Sequence, residues 1–174
     1  MQNVLIPEER LKLLKKDSHI IKRIEEISSC RISFKDNNIE ISGDPFWEFS
    51  AKNILFAFGR GFDINDALLL ANDNEYFTYI DLGQYFSSDK RIHQVKARII
   101  GKEGKVKGNI ESISKAKISV YGDTVSFIGT EEEINEAQTC VIALIEGESH
   151  RSAYRKMEAA HRKNRELIRN ISNM

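Results

Sequence analysis

Hydrophobic and polar residues follow a helix-then-hairpin pattern in the first part of this chain. The isoleucines between positions 20 and 27 have helical spacing, which predicts an amphipathic helix. Residues 31–34 and 39–41 then alternate polar and apolar side chains around a turn at Asp36-Asn37-Asn38, as the two strands of a hairpin do. Asp44-Pro45 follows with a helix cap and a first-turn proline, which predicts the start of a second, long helix.

The same pattern returns once, 86 residues later. Residues 110–114 align with residues 24–28 at that offset, which is the difference between Ile113 and Ile27. The alignment continues without a gap to Gly129, which falls on Gly43. A single repeat of this length predicts two copies of one domain, because solenoids repeat every 20 to 50 residues or so.

Each copy is predicted to contain an early strand, two helices, a hairpin and a third helix. Asn3–Ile6 and Phe77–Leu82 are the candidates for the early strands. The fold class is therefore α+β, with two tandem domains, each a three-stranded antiparallel sheet covered on one face by helices. We predict domains over residues 1–60 and 76–174, joined by a connecting helix within residues 61–75.

The charges of the chain are segregated, although 26 bases and 26 acids give a net charge of zero. Between Lys90 and Lys117 nine bases and two acids give +7, whereas residues 61–89 carry six acids and no base. After Glu148 the last helix is expected to continue, with seven bases and two acids. The basic segments could bind a polyanion such as nucleic acid, or remain solvated surface.

The sequence shows no pattern typical of membrane insertion or of a cysteine-based metal site. No apolar run approaches the roughly 18 residues that span a bilayer, so we expect an intracellular, cytoplasmic protein with no membrane partner. Cys30 and Cys140 lack metal-ligand spacing and are expected to be buried thiols.

The candidate chemistry lies between the first two helices of the second copy, at Gly101-Lys102-Glu103-Gly104. Glycines let the backbone approach a phosphodiester closely, and the following helix start offers N–H donors. Lys102, Lys105 and Lys107 can neutralise phosphates. Two glycines three residues apart are a weak signal alone, but their place in the repeat predicts binding of single-stranded RNA.

An apolar groove beside this loop is the candidate for base recognition, with polar edges from the adjoining strand. The complete set of predicted RNA-binding residues is Arg98, Ile99, Ile100, Gly101, Lys102, Glu103, Gly104, Lys105, Val106, Lys107, Ile110, Lys117, Ile118 and Ser119. The equivalent loop of the first copy, Lys15-Lys16-Asp17-Ser18, has no glycine and gains an acid. We therefore expect the first copy to lack phosphate binding and to have a structural role.

The loop, the strand pair 118–125 and Ile128-Gly129-Thr130 together resemble the C-terminal KH domain of archaeal partner-of-Nob (Dim-type) ribosome-biogenesis proteins. Residues 58–62 also resemble the junction between the two KH domains of that family. The resemblance implies two type I-like KH domains, of which only the second has the Gly-x-x-Gly loop. Lys105-Val106-Lys107 departs from relatives that carry arginine after the loop, which puts bidentate phosphate contacts in doubt.

The resemblance further implies a function in small-subunit ribosome biogenesis. It implies binding near the 3′ end of 16S ribosomal RNA, beside the Nob endonuclease that cleaves it. It also implies contact with the alpha subunit of archaeal initiation factor two.

Two other classes of function compete with RNA binding. The four histidines and scattered aspartates form no nucleophile or metal motif, so we expect neither an enzyme nor a metal or cofactor site. A protein-interaction scaffold is suggested by aromatic residues, although most are expected to pack in cores or interfaces. These aromatics are Phe46, Trp47, Phe49, Tyr76, Tyr79, Tyr85 and Phe86.

Overall fold

The computed structural model describes residues 2–36 and 38–172 and divides into two compact units. The first unit ends at Phe77 and the second begins at Thr78. Asn37 of the first predicted hairpin turn lies outside the described residues, as do Met1, Asn173 and Met174 of the predicted domain ranges. Each unit is an α+β layer with its own antiparallel sheet.

The first unit has three strands, three longer helices and a short helical segment. Its sheet has the strand order β1-β3-β2, with Val4 opposite Ile39 and Ile32 opposite Ile41. The elements are β1 (Gln2–Val4), α1 (Glu8–Lys16), α2 (Ser18–Ser28), β2 (Arg31–Lys35), β3 (Asn38–Ser42), α3 (Pro45–Gly59) and α4 (Ile64–Ala67), followed by a 3-10 turn (Leu68–Ala71).

The second unit has the same order of strands and helices, but its last helix, α8, is long where α4 has four residues. Its sheet has the strand order β4-β6-β5, with Ile118 opposite Phe127 and Tyr121 opposite Thr124. The elements are β4 (Tyr76–Asp81), which begins at the end of the first unit, a 3-10 turn (Leu82–Gln84), α5 (Asp89–Ile100), α6 (Lys105–Ser114), β5 (Lys117–Tyr121), β6 (Thr124–Gly129), α7 (Glu131–Ile145) and α8 (His150–Ser172).

The 86-residue offset recurs in the bounds of the elements and in individual hydrogen bonds. Strands β2 and β5, and helices α3 and α7, begin and end at positions 86 residues apart. The carboxylate of Glu25 accepts from the N–H of Ile32 at 2.7 Å, and that of Glu111 accepts from Ile118 at 2.8 Å. Both bonds join the second helix to the start of the next strand, so the two units share local chemistry as well as element order.

The core of the second unit lies between its sheet and helices α5, α6, α7 and α8. Phe127 on the central strand and Ile110 on α6 are fully buried in it. Ala153 and Met157 bring the first turns of α8 into the same core. This burial fixes both helices that flank residues 101–104, since each contributes apolar side chains to one contiguous cluster.

Two predicted helices differ from the structure. The last helix does not continue through Glu148: α7 ends at Ile145, Gly147 has φ +94°, and α8 begins at His150. Residues 61–75 hold only the four-residue α4 and a 3-10 turn, because Asp63 caps α4 and the helix tightens at Leu68.

Helix α8 is fastened to α7 by a polar cluster. The carboxylate of Glu136 is almost wholly buried; it lies 2.8 Å from Nδ1 of His161 and accepts from the amide of Asn164 at 2.9 Å. These contacts fall on the side of α8 that faces α7.

Among the described residues, no helix has the length and apolar content needed to cross a membrane.

Both cysteines are buried, as expected. Burial raises the pKa of the Cys140 thiol to about 12 and also raises the pKa of Cys30. Ionisation of Cys140 is therefore disfavoured in the folded unit and easier once the chain unfolds.

We predict that Cys140 lowers stability at alkaline pH. Because its folded pKa lies above the unfolded value of 9.0, its contribution is complete below pH 9 and disappears as pH rises toward 12. Between pH 8 and 10 the free energy of unfolding should fall by about 1.4 kcal/mol more in the natural chain than in Cys140→Ala. Urea titrations of both proteins at the two pH values measure this, and parallel pH profiles contradict it.

Candidate nucleic-acid interface

The turn between α5 and α6 has an unusual backbone at three of its four residues. Gly101 has φ +72° and ψ 175°, and Gly104 has φ +75° and ψ 11°. Glu103, between them, has φ +54° and ψ 29°. Positive φ at successive positions turns the chain sharply and exposes the side chains of Lys102 and Glu103.

The two glycines are required for different reasons. A Cβ at Gly101 would lie 2.4 Å from Cγ2 of Val106 and 2.9 Å from its backbone nitrogen, and its φ and ψ are accessible essentially to glycine alone. A Cβ at Gly104 would meet nothing within 4 Å, so only its left-handed backbone favours glycine. Gly101 shapes the turn, whereas Gly104 keeps the surface open at the start of α6.

The start of α6 has no side-chain cap. Gly104 supplies no side-chain oxygen there. The N–H of Lys105 donates to the carbonyl of Lys102, and as at any helix start the next N–H groups lack partners within the helix. The positive end of the helix dipole is thus available to an external anion.

The equivalent helix start in the first unit is closed. The carboxylate of Asp17 accepts from the N–H of His19 at 3.0 Å and occupies the position that an external anion would take at the start of α2. The sequence predicts Asp17 as a repelling charge but misses its capping role, although an aspartate directly before a helix is the standard signal for a cap. Lys15 is also engaged, donating to the carbonyl of Asp36 at 3.3 Å.

The basic residues around the second loop are not equally available. Lys102 and Lys105 are exposed. Lys107 forms an ion pair of 3.1 Å with Glu111, so its charge is partly offset within α6. Arg98 donates to the carbonyls of Leu144 and Glu148 and fastens the corner between α7 and α8.

Part of the predicted apolar groove is core. Ile99, Ile110 and Ile118 are at most 2% exposed, because α5, α6 and β5 turn these side chains toward the central cluster. These three side chains support the loop from the core and are not accessible to a bound RNA. Ile100 and Val106 are half-buried, and on β5 Ser119 is buried while Lys117 is exposed. The accessible surface is therefore more polar than predicted.

Most of the aromatic residues expected to pack in cores or interfaces are exposed, so few of them belong to a core. Phe46 and Phe49 are 64% and 63% exposed, and they line a groove of about 410 Å³ in the first unit together with Trp47 and Tyr76. Tyr79 and Tyr85 of the second unit are also exposed, whereas Phe86 packs against the core.

Within residues 2–36 and 38–172 no group of three or more His, Cys, Asp or Glu side chains could hold a metal ion.

Comparison with known proteins gives a consistent match. The family model for the second KH domain of PNO1, a eukaryotic type KH-domain (KH-domain type I), matches residues 76–162. A KH domain-containing protein of Methanocaldococcus jannaschii is 36% identical, over 91% of this chain and 73% of that protein. The pre-rRNA-processing protein PNO1 of Chaetomium thermophilum is 29% identical, and this chain spans about half (52%) of its length and aligns over 73% of its own.

Solved structures with the same fold come from Pyrococcus horikoshii. Dim2p superposes with a TM-score of 0.84 at 32% identity, covering 91% of this chain and 98% of that one. A chain of the a/eIF2alpha–aDim2p–rRNA complex from the same organism gives a TM-score of 0.85 at 32% identity, over 93% and 94% of the two chains.

The two glycines predict opposite tolerance to asparagine. Gly104→Asn should cost no more than about 1 kcal/mol, because asparagine accepts a left-handed backbone and the site is open. Gly101→Asn should cost about 3 kcal/mol, because strain and the contact with Val106 add. Urea denaturation of the two variants measures the difference, and equal losses would show that Val106 does not restrict the turn.

Proposed function

This chain belongs to the PNO1-type KH-domain family, and we propose that it binds single-stranded RNA through residues 101–104 during maturation of small-subunit ribosomal RNA. The observation that carries the proposal is the open start of α6, which contrasts with the start of α2 that Asp17 closes. The start of α6 would thus bind a phosphate of the RNA, whereas the start of α2 binds the carboxylate of Asp17.

The chemistry of the grip follows from the turn. A phosphodiester approaching Gly104 meets no side chain, and the uncapped start of α6 presents N–H donors and a positive dipole end. Lys102 and Lys105 supply charge from the two sides of Gly104, and release of their counterions makes binding salt-dependent. These contacts position a strand without reading its sequence.

Base recognition then falls to the accessible residues beside the turn. Ile100 and Val106 offer half-buried apolar surface, and Lys117 offers a polar edge. Such a surface reaches base edges only when the bases are unpaired, because A-form pairing hides them in a deep, narrow groove. The protein should therefore prefer single strands.

The biological target comes from the relatives. The Chaetomium relative is a pre-rRNA-processing protein, and the Pyrococcus relative was solved with a/eIF2alpha and rRNA. We propose that this chain binds near the 3′ end of 16S ribosomal RNA, assists cleavage by a Nob-type endonuclease and contacts the alpha subunit of initiation factor two. In this function it is a binding protein and not an enzyme. Its first unit is also a KH-type domain, but one that does not bind phosphate.

A protein-interaction scaffold with only nonspecific RNA affinity is the alternative. The exposed aromatics around Phe46 and Phe49 favour it, because apolar groups of this size are often held at interfaces. The initiation factor two alpha subunit or the processing nuclease is the partner that this alternative would place there. RNA binding through the second unit and protein binding through the first are compatible.

Charge reversal in the loop tests the phosphate grip. Lys102→Asp with Glu103→Asp should weaken binding of single-stranded RNA roughly 30-fold, about 2 kcal/mol, because repulsion replaces neutralisation. The fold should survive, since both glycines remain and aspartate tolerates the left-handed backbone of Glu103. Fluorescence anisotropy measures affinity, and circular dichroism checks the fold.

Lys16→Asp is the matched control, because it makes the same net change of charge at the register-equivalent position of the first unit. Its RNA affinity should stay within about twofold of the natural chain, because Asp17 already caps the start of α2 and leaves no phosphate site there. Equal losses from both variants would remove the asymmetry between the units from the mechanism.

Strand preference tests the target. A labelled single strand with the 3′-terminal sequence of 16S ribosomal RNA should bind at least about tenfold more tightly than the same sequence in a hairpin, and more tightly than a scrambled strand. Titrations at several salt concentrations separate charge from sequence, since only the charge component weakens with salt. Equal affinity for all three RNAs would support the scaffold alternative.

A further inference from the structure

Helix α8 carries a row of arginines without intramolecular partners. Within the described part of the chain, none of these five side chains forms a hydrogen bond, ion pair or ring contact, and all are exposed. They are Arg151, Arg155, Arg162, Arg165 and Arg169. We call them the arginine row.

Several other arginines of the chain make internal contacts. Arg10 donates to the carbonyls of Phe58 and Phe62 and lies 4.0 Å from the ring centre of Phe58. Arg23 donates to Asn65, and Arg98 donates to two carbonyls. The arginine row, by contrast, keeps its planar donor groups in solvent, where they can bind phosphate with two parallel hydrogen bonds.

The row lies on one side of the helix. At 100° per residue its five members fall within an arc of about 80°, opposite Ala153 and Met157, which are buried in the core. Glu158 and Glu166 share this side, so it keeps a net charge of +3. From Arg151 to Arg169 the row extends about 27 Å along the helix axis.

The row begins beside the loop. Nε2 of His150, the first residue of α8, lies 3.0 Å from the carbonyl oxygen of Arg98, three residues before Gly101. One turn later the hydroxyl of Tyr154 accepts from the amide of Asn109, in the second turn of α6. The start of α8 is therefore held next to both helices that flank the turn, within a single unit.

A membrane surface would be another polyanion for a basic amphipathic helix. Such a helix inserts its apolar side into the lipid. Here the side opposite the row packs on the core through Met157 and on α7 through His161 and Asn164. Up to Asn164 the apolar side is therefore not available to lipid, which favours RNA. Past Asn164 the apolar residues Leu167, Ile168 and Ile171 are exposed, and the vesicle assay below tests that part of the helix.

We infer that the arginine row is a second RNA-binding surface, which binds the phosphate backbone of the strand as it leaves the loop. This inference rests on the proposed function of residues 101–104 and extends it. A KH surface grips about four nucleotides, so the row lengthens the footprint and supplies the arginine contacts that the lysines beside the loop do not make. It adds affinity for long strands without adding sequence preference.

Strand length distinguishes the two surfaces. The triple variant Arg155→Gln, Arg162→Gln, Arg169→Gln should bind a four-nucleotide strand as the natural chain does, within about twofold. For a twelve-nucleotide strand it should lose about tenfold in affinity at moderate salt, and the slope of log affinity against log salt should fall by about 2. Glutamine is a good helix former, and circular dichroism checks that α8 persists.

The triple variant Lys22→Gln, Arg31→Gln, Lys35→Gln is the matched control, because it removes three exposed positive charges from the first unit. Unchanged binding of the long strand by this control, with loss in the α8 variant, supports the inference. Equal losses in both would mean that only net charge matters, and no loss in either would overturn the inference.

The loop variant separates this inference from the proposed function. Suppose that Lys102→Asp with Glu103→Asp keeps full affinity for the four-nucleotide strand, while the α8 variant loses affinity for the twelve-nucleotide strand. The proposal for the loop would then be wrong, and the inference for the arginine row would still hold. A parallel assay measures binding to phosphatidylserine vesicles. If the protein binds these vesicles through the arginine row, and RNA does not displace it from them, the ligand of the row is lipid and the inference of RNA binding is wrong.

Discussion

One carboxylate in each unit ties the helices to the sheet. Glu25 and Glu111 lie near the ends of α2 and α6, and each accepts from the N–H of the second residue of the strand that follows. A charged acceptor makes this bond stronger than a neutral one, and it fixes the distance between helix end and strand start. At its other end α6 packs on the core through Val106, beside the turn at Gly101. The position of the loop relative to the sheet depends on this bond and on the core that α5 and α6 share.

From this common frame the two units diverge at a single helix start. In the first, Asp17 satisfies the helix from within the chain, and one residue separates α1 from α2. In the second, four residues separate α5 from α6, and none of them caps the helix. At the 86-residue offset these four residues fall on residues 15–18, which are mostly helical, so the loop is longer because the flanking helices end earlier and begin later. Three of the four have positive φ, and two of those three are glycines. The two units therefore differ here in backbone conformation, whereas their cores remain alike.

Sequence reasoning predicts the α+β class and the repeat because periodicity and a gap-free offset report directly on which residues turn inward. The bounds of β2 and β5, or α3 and α7, follow from the same offset. It does not predict how far inward Ile99 and Ile118 lie, since periodicity gives a direction and not a depth. It also does not predict the internal hydrogen bonds of Arg98, because the carbonyls that accept from its guanidinium lie 46 to 50 residues away in the sequence. The break at Gly147 is missed because a single glycine is compatible with a helix until its backbone is seen.

The 86-residue repeat also has a consequence for synthesis. Two hairpins of similar strand length in one chain, β2–β3 and β5–β6, can exchange partners if both are unfolded at once, and such mispairing is a characteristic failure of repeated domains. During translation the first hairpin precedes the second by 86 residues, which at about 5 to 20 residues per second gives it several seconds alone. Hairpins form in roughly 1 to 10 μs, far faster than that interval. The order in which the ribosome delivers the two copies therefore protects each sheet from the strands of the other.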